Sequence, residues 1–452
     1  MLGIIFLLVA IILYFTGHRR LSLLLFVFMA LRFMNMIPVR VMTFNGLDLA
    51  VVYMVVISFA QGVRCIKFRE DPELPKIIRR LAFFLVTSFI VGMIYYGLTP
   101  FQSFMGCRQL WLFPAYFFLR NVPPKDIVWL FKILFYISLI HAILYIIQCL
   151  TGLPVLGELA PELDVITNTL RYNNHPIYMT LFFYMSLLFP KYFGKKISLL
   201  SALIFAVAAF LTMTRTIIVV MIILGVIGIY LSGKKTTIIK FAIIGAIIII
   251  PLSAALSARF GEEAGTEGDV EALIHGEFID YARTGIKPAE AGTLTYRIAW
   301  LYERTEYVLT HGVVEFIFGL GFLPPSEPAV ASRLYNFKVG AINDDLGIIS
   351  PNQTPDIGYG NIIAQYGVVG AILFLSLWIR LTLIHARNKQ NSPIIFCMYL
   401  YLLTLFGTSI AGQGISIQGL LILPYLTANL ALRGSSKESP IRNTQFNDCN
   451  TY

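Results

Sequence analysis

Arg171, Arg215, His175 and Asp356 stand where apolar stretches and polar chain meet, and Arg297 and Arg304 lie inside the long polar stretch between Pro251 and Tyr359. A guanidinium at a membrane boundary is costly unless an anion or a polar surface compensates it. Its planar fork of donors matches phosphate oxygens better than a lysine ammonium does. A carboxylate or imidazole beside such a fork can take a proton from an incoming hydroxyl. Together these residue types suit a reaction on a phosphorylated substrate in which the protein holds negative charge and supplies a base.

Their settings differ. Arg171-Tyr172-Asn173-Asn174-His175-Pro176 closes a polar loop at the mouth of an apolar run, and Thr214-Arg215-Thr216 forms a tight turn between two others. Thr293 to Thr310 reads as one helix, because Arg297, Trp300, Leu301, Arg304 and Val308 recur on one face at helical spacing. Asp356 lies in Pro351-Asn-Gln-Thr-Pro-Asp-Ile-Gly-Tyr-Gly-Asn361, where prolines and glycines bend the chain just before another apolar run. Trp300, Tyr296 and Tyr359 offer flat faces for sugar rings, although aromatic belts at membrane interfaces also account for such residues.

Each feature has a plainer explanation. Arg215 could snorkel to lipid headgroups; the 293–310 helix could pack its arginines against Glu303 and Glu306; Asp356 could cap a helix. Arg32 and Arg108, near the ends of other runs, are explained equally well by ion pairing or carbonyl capping. His275 and His311 are rival bases.

The elements that must position these groups are membrane-length. Hydrophobic residues make up 57% of the chain and charged ones 13%, with a mean hydropathy of +0.74, which excludes a soluble domain. Apolar runs near 2–17, 21–37, 47–63, 81–98, 103–119, 127–150, 176–190, 197–212, 216–232, 239–255, 360–380, 392–410 and 416–432 predict about thirteen transmembrane helices, within a range of roughly 12–14. The expected division is an N-terminal transmembrane bundle over 1–255, a large, partly helical extracytoplasmic loop over 256–358, closing helices over 359–432 and a polar cytoplasmic tail over 433–452.

With the N-terminus outside, the loops carrying Arg19-Arg20, Arg64 to Arg80, Arg120/Lys125, Lys191 to Lys196, Lys234-Lys235, Arg380 to Lys389 and Arg433/Lys437 all fall inside. The acids Asp48, Glu158, Glu162, Asp164, Glu262 to Glu327, Asp344, Asp345 and Asp356 fall outside. The net charge of +10 is thus a topology signal, with no nucleic-acid partner implied. The five cysteines show no C-x-x-C spacing, and no ATP-binding or divalent-metal motif is present, so no metal and no cofactor are expected.

The chain resembles the O-antigen polymerase and ligase superfamily, the Wzy-like and WaaL-like integral membrane glycosyltransferases. The likeness covers most of the length in organisation: about a dozen spans, one large external loop late in the chain, then a few closing spans. Its motifs are Asn174-His175-Pro176, Thr214-Arg215-Thr216, the Arg297-x-x-Trp300 helix leading to Gly319-x-Gly321, and Asp356 before a helix carrying Tyr366-Gly367-x-x-Gly370. The resemblance implies a GT-C-like helical fold in the bacterial inner membrane and an undecaprenyl-pyrophosphate-linked oligosaccharide as substrate. It implies metal-independent chemistry, with Arg171, Arg215, Arg297 and Arg304 on the pyrophosphate, and Asp356 or His175 as base. O-antigen, capsule or exopolysaccharide would be the product, and a chain-length regulator a candidate partner beside the lipid bilayer. Ligases of this superfamily carry a histidine where this chain has Asp356, which favours a polymerase. A ligase passing glycan to another acceptor, and a lipid-linked oligosaccharide flippase or transporter, are the alternative readings; the midplane stretches hold little charge, His141 being the main exception.

The orientation can be checked on a variant whose five cysteines are replaced. A cysteine introduced at Val270 should react with a membrane-impermeant maleimide on spheroplasts, and one at Ser435 only after permeabilisation. The reverse pattern would overturn the assignment.

Overall fold

Apolar helices dominate the chain because a segment that leaves water must satisfy its own backbone hydrogen bonds. The computed structural model describes residues 2–36, 40–41, 44–61, 71–156, 162–164, 169–212, 214–234, 237–249, 266–288, 292–323, 334–340, 342–343, 348–349 and 357–434. The helices are α1 (Leu2–Phe15), α2 (Arg19–Ala30), α3 (Gly46–Gln61), α4 (Glu73–Ile94), α5 (Pro100–Cys107), α6 (Ala115–Leu119), α7 (Pro124–Thr151), α8 (Met179–Leu188), α9 (Lys195–Leu211), α10 (Arg215–Ser232) and α11 (Thr237–Ile249). The large polar segment contributes α12 (Thr266–Ile274), α13 (Glu277–Thr284), α14 (Thr293–Thr310) and α15 (Val313–Phe318), and the chain closes with α16 (Gly358–Asn388), α17 (Pro393–Thr408) and α18 (Ile422–Gly434). Three short antiparallel strand pairs, one of them Glu162–Asp164 with Thr169–Arg171, sit in the connections.

The fold is all-α and of membrane type. Large apolar side chains such as Phe59, Phe83, Ile94 and Tyr230 stand on its outer surface, an arrangement water would penalise and lipid tails accept. The expectation of about thirteen spans is not met. Among the described residues, four helices are long and apolar enough to cross a membrane: α4, α7, α10 and the run Gly358–Asn391. Other apolar helices, including α1, α8 and α17, are shorter. The cause is that an apolar run is not always one helix. The run near 103–119 breaks at Arg108–Leu112 into a 3-10 turn between α5 and α6, and the run near 21–37 leaves the α-helix after Ala30.

The basic loops nevertheless meet one another. Arg20 Nε lies 2.5 Å from Asp126 Oδ1, Arg380 forks onto Asp71 with Nε 2.6 Å from Oδ2, and Arg433 Nη2 donates to the Arg120 carbonyl at 2.9 Å. Each contact joins two loops that the charge pattern put on one side, so they share one end of the bundle.

The opposite end is organised by a bend in α16. At Gly367 (φ 65, ψ −173) the helix breaks, in a region of backbone space essentially reserved for glycine. The break removes the helical donor from the Ala364 carbonyl, and Leu320 N–H takes its place at 2.7 Å. Gly319 and Gly367 touch backbone to backbone: a Cβ on Gly319 would lie 2.4 Å from Ala364 O, and one on Gly367 2.6 Å from Gly319 N. Tyr96 OH donates to the Gly319 carbonyl at 2.6 Å and Tyr335 OH to the Leu320 carbonyl at 2.7 Å. The short apolar stretch 313–322, too short to span a bilayer, thus docks onto the bent helix instead.

Gly367→Ala should therefore cost more than about 3 kcal/mol, combining backbone strain with a clash, and lower the thermal unfolding temperature in detergent by several degrees. Gly245→Ala on α11, with open space around it, should not lower it. Equal behaviour of the two variants would refute the interlock.

Candidate functional site

One face of α7 carries His141, Tyr145 and Gln148 at i, i+4 and i+7, all fully buried. Polar groups so placed need partners, and they find them in the chain leading to α8. His141 Nε2 lies 2.9 Å from the Asn174 carbonyl oxygen, and Gln148 Nε2 donates to Asn174 Oδ1 at 3.0 Å. Gln148 Oε1 accepts from Leu156 N–H at 2.8 Å. Tyr145 OH is within reach of two carbonyl oxygens, Tyr172 at 3.2 Å and Leu211 at 3.4 Å. That tyrosine links the loop ending in His175 to the end of α9, from which the chain turns through Thr214 into Arg215. Two stretches separated by about 40 residues of sequence are thereby held side by side.

A cavity of about 390 Å³ opens at this end of the bundle. Arg32, Asn173, His175, Thr214 and Gln413 are among its polar wall, and Tyr401 and Leu405 are among the deeper residues of α17 that line it. Among the described residues no carboxylate lines it. Arg215, half-buried, opens α10. There the helix dipole adds positive potential to its own charge, a combination that attracts an anion. Gly358 N–H donates to the carbonyls of Ser409 (3.0 Å) and Gly412 (2.8 Å), so the start of α16 rests on the loop that supplies Gly412 and Gln413 to the cavity wall.

The other predicted residues separate into two groups. Asp356 and the Arg171 side chain lie outside the described residues; the Arg171 backbone pairs with Glu162 in the short strand ladder. The cap position of α16 is Ile357, not Asp356.

The helix predicted over 293–310 is present with those bounds as α14. Its first turn is capped by the Asp269 carboxylate from α12, which accepts from the N–H groups of Gly292 (2.7 Å), Leu294 (3.0 Å) and Thr295 (2.9 Å) and from the Thr295 hydroxyl (2.6 Å). Trp300 and Arg304 are fully buried. The Arg304 guanidinium lies between the rings of Trp300 (4.7 Å) and Phe337 (4.1 Å) and pairs with Glu303, which also accepts from Lys338 N–H (2.6 Å) and Val339 N–H (3.1 Å). Burial draws its pKa down to about 10, with Glu303 opposing the shift, so it remains a cation at neutral pH. Desolvated stacking of this kind contributes about 2 kcal/mol per pair. Trp300 itself fills the space left by Gly360, where a Cβ would approach the ring to 2.8 Å. Both side chains hold α14 to its neighbours rather than lining the cavity. Tyr359 donates to the Phe406 carbonyl at 3.0 Å, and Tyr296 is half-buried with its ring 6.5 Å from that of Tyr281. Arg297 is half-buried on α14.

No family model matches the chain, and no curated protein does.

The structure brings His175 and Thr214 together at one cavity, with Arg215 next to Thr214 at the start of α10, and sets Trp300 and Arg304 in a separate core. It adds Arg32, which the sequence left as one of several ambiguous interfacial arginines. Arg108, its companion there, is paired with Asp48 (Nε to Oδ1, 3.1 Å). It also adds the polar stripe of α7, whose signal is legible as His141, Tyr145 and Gln148 at helical spacing in a largely apolar span.

Burial pushes the Asp269 carboxyl upward, but its bonds from Thr295, Leu294 and Gly292 outweigh this and hold it below the ordinary range. The bonded carboxylate thus stabilises the segment above the unfolded pKa of about 4, and the contribution is lost as pH falls through the lower folded value. Hydrogen exchange in α14 should accelerate over that acid range, and Asp269→Asn should exchange fast at every pH. An acid-insensitive native α14 would contradict the capping role.

Proposed function

We propose that the protein is a GT-C-like membrane glycosyltransferase that polymerises undecaprenyl-pyrophosphate-linked oligosaccharide repeat units on the outer face of the bacterial inner membrane. The observation that carries this reading is the cavity described above, which has Arg32 and His175 in its wall, Thr214 leading directly into Arg215 beside it and, among the described residues, no carboxylate. It lies at the end of the bundle away from the basic loops, which the charge pattern makes extracytoplasmic.

In this reading the diphosphate of the donor is held by Arg215 at the α10 N-terminus, with Arg171 and Arg297 completing the set from the neighbouring loop and from α14. Arg304 and Trp300 act at one remove, by fixing α14. The acceptor hydroxyl loses its proton to Asp356, or to His175, as its oxygen attacks the anomeric carbon from the face opposite the diphosphate. The C–O bond to the diphosphate breaks, and polyprenyl diphosphate leaves with the electron pair, inverting the centre. The glycosyl diphosphate already carries its leaving group, so fixed guanidinium groups can supply the charge stabilisation and the reading requires no metal or cofactor. Chain-length control would fall to a partner protein.

Purified protein incubated with a lipid-pyrophosphate-linked repeat unit should produce a ladder of lengthened glycans without ATP. Arg215→Ala should slow it by roughly thirty- to a thousandfold, equivalent to about 2–4 kcal/mol of barrier. A single transfer to lipid A core with no ladder would assign the protein as a ligase, and an unaffected Arg215→Ala enzyme would remove the arginine from the reaction.

A further inference from the structure

After α2 the chain turns left-handed through three consecutive residues that are not glycine, Arg32 (φ 50), Phe33 (φ 55) and Met34 (φ 54). This conformation costs roughly 1–2 kcal/mol per residue, so its surroundings must enforce it. They do so from two sides. A Cβ on Gly46 would come within 2.9 Å of the Met29 carbonyl oxygen and 3.0 Å of the Phe33 ring, and one on Gly419 within 2.1 Å of the Ala30 carbonyl oxygen. Two glycines thus let neighbouring backbone close directly on the turn. Leu31, Phe33 and Met34 are buried in the core by this packing, while Arg32 is exposed at the cavity wall.

Asp48 acts on the Arg32 charge electrostatically but makes no ion pair with it. Arg32 Nη2 donates to the neutral Gln109 Oε1 at 3.2 Å, and Asp48 is engaged by Arg108. Deeper in the same cavity, Tyr401 is 1% exposed and its hydroxyl has no hydrogen-bond partner. A buried hydroxyl at membrane depth is costly without one. The exposed cationic fork and the buried, unpaired hydroxyl belong to two residues that line one cavity.

The geometry points to Arg32 and Tyr401 as two ligands of a diphosphate ester seated in this cavity, Arg32 through its guanidinium and Tyr401 as a neutral donor from below. A volume of about 390 Å³ is at the small end of ligand pockets; it takes a diphosphate headgroup and leaves a long polyprenyl tail to the lipid. The inference deepens the proposed function, on which it rests for the identity of the substrate.

Arg32 can be tested in the unaltered protein. In nanodiscs of a zwitterionic lipid, phenylglyoxal should modify Arg32, as read by peptide mass spectrometry, and both inorganic pyrophosphate and farnesyl diphosphate should protect it. Titration calorimetry with pyrophosphate should then show at least tenfold weaker binding for Arg32→Gln, partial recovery for Arg32→Lys, and a severalfold loss for Tyr401→Phe. No protection by either diphosphate, or unchanged affinity in Arg32→Gln, overturns the assignment. Protection by phosphatidylglycerol nanodiscs without added diphosphate also overturns it, assigning the site to the surrounding lipid. The two levels fail separately: Arg32-dependent binding without a glycan ladder keeps the site and removes the polymerase, whereas a ladder with Arg32-independent binding and KM does the opposite.

Discussion

A helix that bends inside a membrane frees a carbonyl that water cannot reach, and some other part of the chain must supply the donor. In this protein the donor is Leu320 N–H, bonded to Ala364 O across the Gly367 bend. Much else follows from that single exchange. It requires the 313–322 stretch to lie against α16, and the approach is close enough that Gly319 and Gly367 have no room for a Cβ. It brings Phe322 onto α5, where a Cβ on Gly106 would meet the Phe322 carbonyl at 2.1 Å. Above the bend, Trp300 packs on Gly360, so α14 and its arginine core are set against the same helix.

The same rule operates on α7 with side chains in place of backbone. His141, Tyr145 and Gln148 give partners to a non-helical stretch, Tyr172 to Asn174, at a depth where a loop would otherwise be destabilised. An irregular backbone near a membrane is tolerated where protein encloses it or where it borders a cavity. Here both hold, because the stretch is bonded on one side and continues into His175 at the cavity wall on the other. The two solutions, one glycine-based and one side-chain-based, deliver polar chain to the same end of the bundle. The short 409–412 loop joins them: it lines the cavity through Gly412 and binds the first residues of α16 through Gly358.

Much of this organisation was visible in the amino acids before any contact was known. The helix over 293–310 could be read to the residue because its apolar and aromatic positions repeat with helical spacing. The glycine pairs at 319/321 and 367/370 stood out as motifs, although nothing in their spacing said that they bind one another. Span counting was less successful. Hydropathy averages over a window and does not register a left-handed turn such as Arg32 to Met34 or a 3-10 segment such as Arg108 to Leu112, where packing with distant glycines or an ion pair decides the backbone. The stripe of Trp300 and Arg304 was readable as a face, but whether that face meets a ligand or a core depends on Phe337 and Glu303, and the sequence does not bring Phe337 near.

Composition and local pattern alone determined that the chain is helical, apolar and polarised between basic and acidic loops, since hydrophobicity and charge add up residue by residue without reference to partners. Only the tertiary structure decided which polar groups share a space. Arg32, His175, Thr214 and Gln413 come from four separate elements, and their meeting depends on glycines shaped for close backbone approach and on buried hydrogen bonds between distant segments. Those interactions have a steep dependence on distance and direction, so no one-dimensional spacing encodes them.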